Sequence, residues 1–229
     1  MANQYYMNLE KFSLNKFKQI LKTEEMLPAR QILKEDIEER FDVLASMGVL
    51  HLKELIDALK TKRKIEDFAR RSGLSKEYLV ILGREARSFK PKVVPLREML
   101  GVDEEYVDEL ASVGITHSRH LFKRGRTREE REMLSAATEV PIEELLELVK
   151  LSDLARIRGL GGAFVRLFYE AGADTVEKLS NWEPEKLSQT VDMLNKEREI
   201  TKWVPSLKDV RQYVDMANEL AKVIKYEQP

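Results

Sequence analysis

Apolar positions along this chain recur every three or four residues, in short runs punctuated by single glycines and prolines, and no segment shows sustained alternation. That period predicts amphipathic helices, and the brevity of the runs predicts many short ones. Ser13 is placed as the N-cap of a helix carrying Leu14, Phe17, Ile20 and Leu21. Pro28 fits the first turn of the next helix, through Ile32 and Leu33. Residues 1 to about 9 read as a flexible or partner-docked lead-in. Near the other end, Trp182-Glu183-Pro184 starts a helix through Leu187 and Leu194. Trp203-Val204-Pro205-Ser206 then breaks the chain before a final amphipathic helix carrying Val210, Tyr213, Val214, Ala217, Leu220 and Ala221. The expected class is all-α.

Sliding the chain on itself exposes a repeat. Gly48, Gly114 and Gly172 sit at one point of three related segments, RFDVLASMGVLHLKEL, YVDELASVGITHSRHL and FVRLFYEAGADTVEKL. Four residues before each glycine stands Leu44, Leu110 or Phe168, and seven after it Leu55, Leu121 or Leu179. The first two copies are 66 residues apart (114 − 48), and that register continues through Thr61/Thr127, Phe68/Leu134, Leu79/Leu145 and Leu82/Leu148. The third copy follows after 58 (172 − 114). The longer first spacer coincides with REARSFKPKVVP, Arg84 to Pro95, whose prolines mark a linker. The expected division is therefore 1–92, a helical lead-in with one degenerate unit, and 93–229, two units and the C-terminal helices.

The best-preserved copy opens with Gly159-Leu160-Gly161-Gly162, a turn between two helical runs, flanked by Arg156, Arg158 and Arg166 with no acid from Ala155 to Phe168. Ile157-x-Gly159-Leu160-Gly161, with Gly172 thirteen positions after the first glycine, resembles the helix-hairpin-helix motif of DNA repair and recombination proteins. In that motif hairpin amides near a helix N-terminus approach a phosphate. The alternative reading is that the glycines only let two helices pack closely. At the same turn the second copy has Gly101 and Asp103, followed by Glu104 and Glu105, and the first has Glu35 and Ile37. Those two hairpins read as packing units.

Composition narrows the partners. The formal charge of −1 rules out a polycation, so any nucleic-acid contact has to come from local patches. Such patches lie in the connectors: Lys62, Arg63 and Lys64 after the first copy, and Lys123, Arg124, Arg126 and Arg128 after the second. They are placed to track a phosphate backbone, or else form solvated loops balanced by Glu143, Glu144 and Glu147. Without cysteine there is no disulfide or thiol chemistry. His117 and His120 lack partners spaced for a metal, and no cofactor fingerprint is present, so no metal, cofactor or catalysis is expected. No segment approaches a membrane span or a signal peptide, and a cytoplasmic protein is expected. Tyr5, Tyr6 and Trp203 are candidates for exposed aromatic contacts with a partner, core or cap packing being the commoner role of such residues.

LVKLSDLARIRGLGGAFVRLFYEAGADTVEKLS, from Leu148, with MLPARQIL, LASMGVLHLKEL, LVILGREA and LASVGITHSRHLF upstream, resembles an uncharacterised family, a domain of unknown function built from tandem helix-hairpin-helix motifs. Asp153-Leu154-x-Arg156-Ile157 is its most specific part. The resemblance implies an all-helical fold and a suspicion of DNA binding. The functional expectation is a non-catalytic protein binding a DNA or RNA backbone without reading sequence, or alternatively a helical scaffold for a protein partner or for itself.

Overall fold

The structure is a computed structural model that describes residues 4–226; residues 1–3, the start of the expected lead-in, lie outside them, as do 227–229. The described residues hold thirteen α-helices and no strand. The chain divides into two compact units, 8–90, and 91–229 together with the first seven residues. The first unit contains α1 (Leu14–Thr23), α2 (Ile37–Ser46), α3 (Leu52–Ala58), α4 (Lys62–Ser72) and α5 (Lys76–Ser88). The second contains α6 (Glu104–Ser112), α7 (Ser118–Arg124), α8 (Arg128–Thr138), α9 (Ile142–Leu154), α10 (Ala163–Glu170), α11 (Val176–Asn181), α12 (Pro184–Arg198) and α13 (Leu207–Glu219). None of the described helices is long and apolar enough to cross a membrane.

One turn recurs three times. Gly48, Gly114 and Gly172 have φ of 83°, 81° and 86°, a left-handed conformation that a side chain would strain. The residue after each, Val49, Ile115 or Ala173, donates its amide to the carbonyl of Leu44, Leu110 or Phe168 at 3.1, 2.9 and 3.0 Å. Each glycine amide reaches the carbonyl three residues back, completing a Schellman closure of α2, α6 and α10. The next helix is then capped by a side chain at one position: His51, His117 and Thr175 accept from the third helical amide of α3, α7 and α11. The bounds of α7, α8 and α9 are those of α3, α4 and α5 displaced by the same 66 residues (118 − 52). Apolar residues at the shared positions are buried in both: Leu44 and Leu110, Leu55 and Leu121, Phe68 and Leu134, Leu79 and Leu145.

Three local expectations are corrected. Pro28 opens a 3₁₀ segment, Pro28–Leu33, rather than an α-helix. Helix α5 runs on through Arg84 to Ser88, burying Glu85 and Ala86, so the break before Pro91 is shorter than the linker read from the sequence. The lead-in is docked: Tyr5 and Met7 are buried, with the Tyr5 hydroxyl 2.6 Å from Ser118 Oγ and its ring edge-on to Phe122 at 5.2 Å. Burial pushes the Tyr5 phenol up to about 12, against the opposing hydrogen bond to Ser118.

Candidate functional site

The hairpin between α9 and α10 is built from short-range bonds. The Leu160 amide donates to the Ile157 carbonyl at 3.1 Å, with Gly159 at φ 82° as the third residue of the turn. Ile157 and Leu160 point into the core. Gly159 is exposed, but the place of a Cβ is taken from within the chain: it would lie 3.1 Å from the Tyr213 ring, whose hydroxyl donates to the Gly159 carbonyl at 3.3 Å. Close packing accounts for this glycine.

Gly161 and Gly162 differ. A Cβ at either would meet no atom within 4 Å. Gly162 needs its glycine because φ 54° with ψ −121° is closed to side chains. Gly161 has neither an unusual φ nor a neighbour. The Phe164 amide closes back on the Gly161 carbonyl at 3.2 Å, while α10 has no side-chain cap. The amides of Gly161, Gly162 and Ala163 therefore have no acceptor among the described residues. Beside this open end, Trp203 stands edge-on to Phe164 at 4.5 Å and is 65% exposed.

The arginines expected to frame the hairpin go elsewhere. Arg156 is 2% exposed, and its guanidinium is committed to four oxygens. It donates to the Asp153 carboxylate and to the carbonyls of Tyr5 at 3.0 Å, Gln4 at 3.1 Å and Ala221 at 2.9 Å, with Phe122 beneath it. The other Asp153 oxygen accepts from the Val176 amide at 3.0 Å and the Tyr226 hydroxyl at 2.9 Å. Burial, and then the Asp153 charge, push the Tyr226 phenol far above its ordinary value. Arg166 is also buried, donating to the Leu100 carbonyl at 2.8 Å and pairing with Glu147 at 2.7 Å. It lies against Gly101, where a Cβ would come within 3.1 Å of its Nε. Thus the glycine kept by the second hairpin accommodates an arginine of the third. Arg158 is half-buried at the turn.

Burying Arg156 and Arg166 in this way takes both off the phosphate-facing surface proposed from sequence. Reading along the chain also missed Gln4 and Tyr226, and it singled out Asp153 only through the family resemblance, without a role. The one available signal was the Asp153/Arg156 pair, an acid and a base three apart inside an apolar stretch, which suits a buried ion pair.

The connectors divide. In the first unit Lys62 and Arg63 are exposed and make no ion pair or hydrogen bond among the described residues, while Lys64 donates to the Asp57 carbonyl at 2.9 Å. Arg63 and Lys64, but not Lys62, border an open groove of about 990 Å³ along α4, also lined by Thr61, Glu66, Asp67, Phe68 and Arg71. In the second unit Arg126 donates to the Phe122 carbonyl and to Gln4, Arg128 pairs with Glu132 at 2.8 Å, and Arg124 donates to the Val113 carbonyl at 2.8 Å. Lys123 is exposed and has no ion partner among the described residues. Arg131 is buried, reaching the carbonyls of Gly125 and Lys225.

The class defined here is an all-helical chain whose glycine turns join short capped helices around buried ion pairs. A family model described as a domain of unknown function (DUF4332) matches residues 100–220, and the chain belongs to that family. The match contains the Asp153–Arg156 pair and the hairpin. No curated protein and no solved structure matches the chain.

Proposed function

We propose that the chain is a helix-hairpin-helix protein that binds the phosphate backbone of nucleic acid without reading its sequence, through the hairpin before α10. The observation that carries this reading is the open backbone at Gly161–Gly162, with three amides that have no acceptor among the described residues at an uncapped helix N-terminus. Such an end favours an anion through its N–H groups and the helix dipole. Gly161 supports it further, because nothing inside the chain requires glycine there. Lys62, Arg63 and Lys123 supply exposed cations for additional backbone contacts.

Titrating the protein with a labelled DNA duplex at low and moderate salt tests this. Binding is expected to weaken as salt rises, with a log–log slope of about −0.9 per phosphate contact. Gly161→Asp, which adds a charge in open space, should lower affinity by about tenfold while the circular dichroism spectrum is unchanged. Affinity indifferent to salt, or unaltered by Gly161→Asp, overturns the reading. A protein-docking scaffold is the second reading, favoured by the exposed Trp203 indole beside the hairpin; loss of a captured protein partner with Trp203→Ala, under nuclease treatment, would select it.

A further inference from the structure

The outer face of α7 carries His120, Lys123 and Arg124 with Arg119, and His117 caps its start. These positions are three and four apart and therefore neighbours on one helix surface, opposite the buried Ser118, Leu121 and Phe122. The rings of His117 and His120 stack at 3.5 Å, 29° from parallel. Among the described residues no carboxylate lies within ion-pair distance of Arg119, Lys123 or Arg124. Several charged groups on neighbouring segments are engaged elsewhere: Glu130 of α8 accepts the amides of Arg126 and Thr127, Asp153 of α9 holds Arg156, Lys150 of α9 holds Asp174, and Arg97 holds Asp108.

The same face in the first unit is balanced. At the matching positions α3 has Lys53, Glu54, Asp57 and Ala58; Lys53 pairs with Asp57, and Glu54 closes the capping box with His51. An identical backbone site thus has its two acids replaced by His120 and Lys123, and its alanine by Arg124. In the third copy the corresponding α11 has Glu177, Lys178 and Asn181, again mixed in sign. The fold does not require the cation excess.

We infer that the α7 face is a binding site for a tetrahedral oxyanion, a phosphate group free or in a phosphodiester backbone, and that filling it places a proton on His120. Arg119, Lys123 and Arg124 provide the charge. His117 stays neutral because its Nδ1 accepts the His120 amide at 3.3 Å to cap the helix, whereas the Thr116 amide meets the His120 Nδ1 only at 3.5 Å, at the limit of a hydrogen bond, and leaves that ring freer to take the proton. The site shares Lys123 with the interface proposed above but uses no residue of the hairpin, and it does not depend on it. Burial, and then the neighbouring cations, hold both imidazoles below their ordinary values. An anion offsets the cations and reverses that second cause.

Proton NMR titration of the three histidines, at matched ionic strength in chloride, in sulfate and with a short DNA duplex, tests it. Sulfate is chosen because its charge is constant over the range. The His120 midpoint should rise by about one pH unit in sulfate, with His117 moving less. A shift with sulfate alone assigns the site to small anions; a shift with both assigns it to the backbone as well. Grafting the α3 face onto α7, as Arg119→Lys, His120→Glu, Lys123→Asp and Arg124→Ala, should abolish saturable sulfate binding at pH 6 while helix content is retained. His120 unmoved by sulfate, or sulfate binding undiminished in the graft, overturns the inference whatever Gly161→Asp does to duplex binding.

Discussion

Residues 37–88 and 104–154 follow nearly the same helical plan, and where they differ the difference comes in compensating pairs or on the surface. Leu59 is buried over Gly83, where a Cβ would meet the Leu59 Cβ at 3.1 Å. At the matching positions the second copy has Gly125 and Val149, and a Cβ on Gly125 would fall 2.6 Å from Val149 Cγ2. Large over small has become small under large, and the space between the two helices is filled in both. Charges are under no such constraint, as α3 and α7 show. The comparison separates what the backbone plan demands, volume and caps, from what it leaves open.

The strongest way to break the likeness is at Arg156, for which the first copy has Lys90 at the matching position and Arg87 where the second has Asp153. Arg156→Ala leaves the Asp153 carboxylate buried without its partner and should destabilise the 91–229 unit by about 3–5 kcal/mol, read from urea unfolding. Arg156→Lys should recover only part, since one ammonium cannot span four acceptors. Next is the volume exchange. Gly125→Leu alone should cost about 1–3 kcal/mol through overpacking, and adding Val149→Gly should return part of it, a non-additivity that a double-mutant cycle measures.

The smallest effect is in pH. Because the folded state holds His117 and His120 below their ordinary values, it favours their neutral forms. Their contribution is complete above the unfolded value of about 6.5 and is lost as pH falls below it. Unfolding midpoints should therefore decline between pH 7.5 and 5.5. His117→Thr with His120→Lys, the residues the third copy has as Thr175 and Lys178, should flatten that decline.

Much of the fold was legible because its determinants are local. A glycine closing a helix, an apolar residue after it and a capping side chain two residues further on lie within five positions, and Gly48, Gly114 and Gly172 announced all three turns. The site was less legible because its determinants are distant. Arg156 and Arg158 look alike in sequence, and what buries the first is a set of carbonyls at Gln4, Tyr5 and Ala221. Arg166 likewise meets Leu100 and Glu147 far from the hairpin it was expected to serve. Local basicity was visible, and the direction of each guanidinium was not. Likewise the choice between surface contact and core packing stayed open for Tyr5, because its pocket, with Ser118 and Phe122, is formed more than a hundred residues later.

The Arg156 cluster also bears on the order of events in folding. One guanidinium joins the carbonyls of Gln4 and Tyr5 to that of Ala221, and Tyr226 closes on the same Asp153. Contacts so distant along the chain carry a loop-closure cost that the local turns at Gly48, Gly114 and Gly172 do not. The turns are therefore expected to form early, and this knot of charge to tie last.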